Sequence, residues 1–184
     1  MTNKITIQQV LTFWFTKPIS DYWFNSTPEI DKQISHEYEA IWEQAKVGEF
    51  DHWKDSADGC LALCIILDQL PLNMFRGDAK SFSTEQQAVE VTKHAINTGL
   101  DTEISNERVS FLYMPLMHSE NMDDQNLAVR SFEKTRLEGN LHFAMHHRGI
   151  VAEFGRFPHR NEALGRESSL AEIEYLKSDK AFTG

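Results

Sequence analysis

The stretch "HFAMHHRGIVAEFGRFPHR", His142 to Arg160, holds four of the chain's eight histidines and three arginines against one acid, Glu153. Histidine can take or give a proton near neutral pH, and arginine can fork onto a carboxylate or a phosphate. Together they could serve acid–base catalysis, anion binding or an internal polar network. His142 and His146, four apart, share a helix face with Glu153 seven residues on. Two histidines and a carboxylate can hold zinc, but this spacing is not the H-E-x-x-H arrangement, so no metal is expected. Gly155 reads as a helix end, and Phe157, which precedes Pro158, as extended backbone. Arg156, His159, Arg160 and Asn161 then project from an irregular connection, with Phe154 and Phe157 anchored in the core.

Two further stretches could contribute. In "LDQLPLNMFRG", Asp68 falls at the C-terminal end of a very apolar helix, where the helix dipole disfavours a negative charge. A structural pair is expected for it, with Arg76 the local cation. In "YMPLMHSEN", Pro115 is expected to break a helix and leave His118, Ser119 and Glu120 in the turn. A histidine beside a carboxylate suits proton transfer. No G-x-S-x-G nucleophile motif accompanies them.

Helices must position these groups. Thr27-Pro28 caps a helix whose Ile30, Ile34, Tyr38, Ile41, Trp42 and Ala45 form one buried stripe, with Gly48 as its stop. A nearly all-apolar central helix runs from about Asp55 to Gln69, ended by Pro71. Ser83 and Thr84, each with Gln three residues on, read as a capping box before a helix that closes at Gly99. Further helices follow over about Asn106 to Leu116, over Asp123 to Leu137 with Gly139-Asn140 as the stop, and over Leu141 to Phe154. Ser169 with Glu172 is a capping box for the last. No stretch alternates long enough to be a strand. The expectation is one all-α domain over residues 1–184, of about seven to nine helices paired as antiparallel hairpins.

Composition bounds the function. The 41% apolar content with twelve Phe and four Trp supports a real core. A formal net charge of −10 argues against a general nucleic-acid binder and against docking on an anionic membrane. Cys60 and Cys64, four apart in an apolar run, read as buried core residues, and nothing points to an oxidising compartment. The N-terminus lacks a signal-peptide pattern, and the longest apolar run, Cys60 to Leu67, is too short for a bilayer. A cytoplasmic protein without a cofactor is expected. Tyr22-Trp23-Phe24 could mark a homodimer surface, with core filling as the competing fate.

The three motif stretches, with Phe13-Trp14-Phe15 ahead of them, resemble a bacterial family of unassigned activity, domain-of-unknown-function family 924. The matching segments are Leu61 to Gly77, Phe111 to Glu120 and His147 to Arg166, in order along nearly the whole chain. The resemblance implies an all-helical fold similar to tetratricopeptide proteins and supplies no function. One departure is Leu72, in "DQLPLN", where the family pattern has an arginine. If that arginine contacts a ligand, Arg76, Arg156 and Arg160 must suffice here.

Three readings follow. The first is a binding module whose groove, lined by Arg76, His118, Glu120, His147, Arg156, His159, Arg160 and Asn161, takes a small anion or the carboxylate of an acidic peptide or protein partner. The second is a hydrolase or transferase with His118 or His159 as general base. The third is a polar network that ties helices together. Arg156, His159 and Arg160 buried and paired with Asp68 or helix-end carbonyls would favour the third reading, and an open pocket shared with His118 and Glu120 would favour the first two.

Overall fold

The computed structural model describes residues 5–182, and all regular structure among them is helical. The α segments are α1 (Ile7–Phe15), α2 (Pro28–Lys46), α3 (Ala57–Cys64), α4 (Leu70–Met74), α5 (Glu85–Thr98), α6 (Asn106–His118), α7 (Met122–Glu133), α8 (Glu138–Phe154) and α9 (Leu170–Leu176). The Thr27 hydroxyl accepts from Ile30 N at the start of α2, and Ile34, Tyr38, Trp42 and Ala45 are buried along it, as the stripe predicts. The reciprocal cap of Ser169 and Glu172 forms at α9. Gly155 ends α8 at φ 71, a left-handed conformation that a Cβ would disfavour.

Pro71 does not end the central helix. A π turn over Ile65–Gln69 joins α3 to α4, so one rod runs from Ala57 to Met74. An α-helix would pair the Leu67 carbonyl with the nitrogen of residue 71, which in proline has no hydrogen. The Thr84 hydroxyl donates to that carbonyl instead, at 2.6 Å. The same oxygen accepts from Trp42 Nε1 at 2.9 Å, so Thr84 has no hydroxyl left for a cap. The Ser83 hydroxyl turns back to the Lys80 carbonyl. The expected capping box at α5 is therefore replaced by a buried cross-link between three helices.

Pro115 likewise lies inside α6, which continues to His118. On the adjacent turn the Leu112 carbonyl accepts from the Thr92 hydroxyl at 2.7 Å. α7 stops at Glu133, short of Leu137, because the Thr135 hydroxyl donates to the Phe132 carbonyl and accepts from Leu137 N. Gly139 and Asn140 open α8 rather than closing α7.

The α3 rod is the centre, packed against α1, α2, α5 and α6. The turn that precedes the rod, Asp51–Asp55, folds closely onto it because residue 59 is glycine: a Cβ there would stand 2.0 Å from the Trp53 carbonyl oxygen. Over Ala57–Met74 the rod is long and apolar enough to span a membrane, but 78% of it is buried by the chain's own helices, as in the core of a globular fold. Cys60 and Cys64 are free and buried in it. α6, α7 and α8 pack in succession, and their short connections make them antiparallel neighbours. Ile150, Val151 and Phe157 form a smaller second cluster with Met122, Phe154, Tyr175 and Phe182. Trp23 packs against Trp14 and Phe111, while Phe24 is 77% exposed.

Candidate functional site

The end of α6 is buried, so its last carbonyls need donors that water cannot supply. Gln125 Nε2 donates to the Met117 and Ser119 carbonyls, each at 2.7 Å. Arg160 Nη2 donates to the His118 carbonyl at 2.8 Å. This capping directs the His118 side chain at the π turn of the central rod. There the buried Asp68 carboxylate lies 2.9 and 3.0 Å from Nδ1 and also accepts from Gln69 Nε2. The partner of Asp68 is thus His118, not Arg76.

Arg76 is placed elsewhere. Its Nε and Nη2 fork onto Asp31 of α2, at 2.8 and 3.2 Å, and Asn73 and Ser26 bind the same carboxylate. No hydrogen bond links it to the other motif residues.

The remaining motif residues meet at the connection after α8. Arg160 Nη1 pairs with Glu85, the first residue of α5, at 2.7 Å. The guanidinium stacks over Phe82 and Phe157, 4.5 and 4.7 Å from their ring centroids. Burial raises the Glu85 carboxyl to about 7, with Asp68 adding to the rise and Arg160 opposing it. Glu120 accepts from Phe157 N at 2.8 Å and takes a two-pronged bond from Arg166 at 2.7 and 2.9 Å. Arg166 also donates to the Phe157 carbonyl at 3.1 Å. Phe157 is thus clamped on both sides of its backbone. Burial pushes the Glu120 carboxyl up, but Arg166 and the Phe157 N–H together hold it below the usual range.

Asn161 is buried between Arg166 Nε and the Ser168 hydroxyl. Arg156 Nε and Nη2 fork onto Glu172 at 2.6 and 2.9 Å, and Nη2 also donates to the Glu167 carbonyl. His147 Nδ1 donates to the Phe143 carbonyl one turn back at 2.8 Å, leaving Nε2 as an acceptor. Burial lowers His147 to about 3 and His159 to about 4, so both rings are neutral at pH 7. His147 Nε2, His159 Nδ1 and Arg160 Nε are buried and have no hydrogen-bond partner among the described residues.

The structure therefore gathers Glu120, His147, His159 and Arg160 around Phe157, with His118 joined to them through Arg160. It gives Arg156 and Asn161 structural bonds at the margin and leaves Arg76 outside. Two contributors, Glu85 and Arg166, are not among the sequence candidates: nothing local distinguishes Glu85 from other first-turn acids, and Arg166 only closes the segment His147 to Arg166. Among the described residues no group of three His, Cys, Asp or Glu side chains could hold a metal ion.

Fold and site define an all-α protein with a buried histidine–carboxylate–arginine network at the junction of α3, α5, α6 and α8. The chain belongs to the family described as "Bacterial protein of unknown function (DUF924)", whose pattern matches residues 10–180. It is similar to the solved structure of a protein of unknown function, ATU0120 from Agrobacterium tumefaciens. Identity is 34% and the TM-score 0.87, over 93% of this chain and 96% of that one. No curated protein matches the chain.

Proposed function

We propose that the network is the acid–base site of an enzyme, a hydrolase or transferase, with His118 as general base and Asp68 as its positioning residue. One observation carries this reading. His118 Nδ1 is fixed on the Asp68 carboxylate, while Nε2 has no hydrogen-bond partner among the described residues and the side chain as a whole is 17% exposed. A buried carboxylate on Nδ1 selects the tautomer with a free Nε2 lone pair and stabilises the imidazolium formed when that nitrogen takes a proton. The substrate group would be a hydroxyl or a water whose proton leaves as it attacks.

An anion-binding groove finds less support. Arg156, Arg160 and Arg166 are already paired with Glu172, Glu85 and Glu120, so an incoming anion would have to displace a carboxylate. A purely structural network is favoured by the three arginine–carboxylate pairs and by the bond from Arg160 to the helix-end carbonyl of His118. Those bonds account for the arginines and leave the unpartnered Nε2 of His118 unexplained. A reducing, cytoplasmic setting suits the free thiols Cys60 and Cys64.

The test is turnover of a panel of p-nitrophenyl esters, thioesters and phosphoesters by the purified chain. Loss of a general base costs about 10²- to 10⁴-fold, so His118→Gln, assayed under conditions where it is shown to be folded, should abolish detectable turnover. Asp68→Asn should lower the rate and displace the pH profile. Turnover that survives His118→Gln, or an inert wild-type chain across the panel, would overturn the reading.

A further inference from the structure

We infer that His147, His159 and Phe157 form a seat for an uncharged aromatic ring bearing one hydrogen-bond donor, and that Phe182 fills this seat in the structure. The Phe182 ring centroid lies 4.4 Å from that of His147 and 5.0 Å from that of His159, and Phe157 lies 5.5 and 5.6 Å from the same two rings. Phe182 fits the shape of the seat but not its chemistry. His147, 2% exposed, presents an Nε2 acceptor with no partner among the described residues, and His159 Nδ1 is likewise buried and without one. A buried polar atom left unpaired is costly, and a phenyl ring offers nothing to pair it. A phenol-like ring in the same place would donate to His147 Nε2.

The seat adjoins the proposed base. Phe157 stacks under Arg160, which holds the His118 carbonyl, so one guanidinium separates the seat from His118. The neutral imidazoles disfavour an anionic ligand. The strap that carries Phe182 is lightly held: residues 177–180 are exposed, and the Phe182 N–H makes one bond, to the Tyr175 hydroxyl at 2.9 Å. The inference rests on the acid–base reading only in taking the seated ring to be substrate.

Calorimetry with p-cresol and toluene, on the full chain, tests it. Phe182→Ala should bind p-cresol about tenfold more tightly than the wild type does, because the seat no longer has an occupant to displace. It should also prefer p-cresol to toluene by about fivefold, the worth of one hydrogen bond. Adding His147→Phe should erase that preference, and Phe182→Leu should restore wild-type binding. Equal affinity for the two probes would mean an ordinary packing cavity and overturn the inference. So would absence of p-cresol binding by folded Phe182→Ala. Adding His118→Gln should leave binding intact, so the seat and the base fail separately.

Discussion

His147 is the residue at which burial, tautomer and pH dependence meet. Its Nδ1–H is fixed on the Phe143 carbonyl and its ring lies against Phe157 and Phe182, so a proton on Nε2 would sit in an apolar wall. The folded pKa, about 3, is below the ordinary 6.5, so between these values the unfolded chain binds the extra proton. Stability from this group is full above about pH 6.5 and falls as the pH drops toward 3, by on the order of 1 kcal/mol per pH unit. Glu85 acts in the opposite sense, because its carboxyl, raised to about 7, favours the folded state as the pH falls. His159, lowered to about 4, acts with His147, so the two histidines outweigh the glutamate below pH 6. Denaturant midpoints measured from pH 7 to 5 should therefore fall, and His147→Phe should flatten the slope. The sequence shows that His147 and His159 belong to an unusual cluster, but not that Glu85 and Arg166 join it through Arg160 and Glu120. Arg160 meets Glu85 across 75 residues and Arg166 meets Glu120 across 46, separations that only the packed fold brings together.

At the scale of elements, caps and apolar stripes were readable wherever the deciding bonds are local. Thr27, Ser169 and Gly155 each act within one helical turn, and each does what its type predicts. Pro71 and Pro115 misled for the converse reason. A proline breaks a helix when the orphaned carbonyl finds no other donor; at Pro71 the Thr84 hydroxyl at the N-cap of α5 supplies that donor from another element, and near Pro115 the Thr92 hydroxyl of α5 binds the neighbouring Leu112 carbonyl. Thr84 is the stronger case, since it serves both the Leu67 carbonyl and Trp42 Nε1. Thr84→Val keeps the shape and leaves two buried polar groups unpaired, which should cost about 2–4 kcal/mol of unfolding free energy. Thr84→Ser retains the hydroxyl and should cost less than half as much. If Val and Ser prove equal in urea unfolding, the hydroxyl does not support the π turn. The same turn carries Asp68, so the backbone irregularity and the proposed base share one support.

On the scale of the molecule, two hydrophobic clusters differ in how they are joined. The large one surrounds the α3 rod, whereas the small one unites α8, Phe157, α9 and the strap. Arg160 lies between them, bonded to the start of α5 and the end of α6 and stacked on Phe157 of the small cluster. Arg156, by contrast, ties only α9 to the end of α8 through Glu172. Arg160→Met removes one partner of a buried pair and should lower global stability by about 3–5 kcal/mol. Arg156→Ala should leave the global midpoint unchanged while α9 amides exchange faster than those of α3 and α6. Opening of this kind draws on the least-packed unit first, and in this chain that unit is α9 with the strap. Native-state hydrogen exchange distinguishes the two substitutions. If Arg156→Ala accelerated α3 exchange equally, the clusters would form one cooperative unit, and Phe182 could not leave its seat while the Asp68–His118 pair stayed assembled.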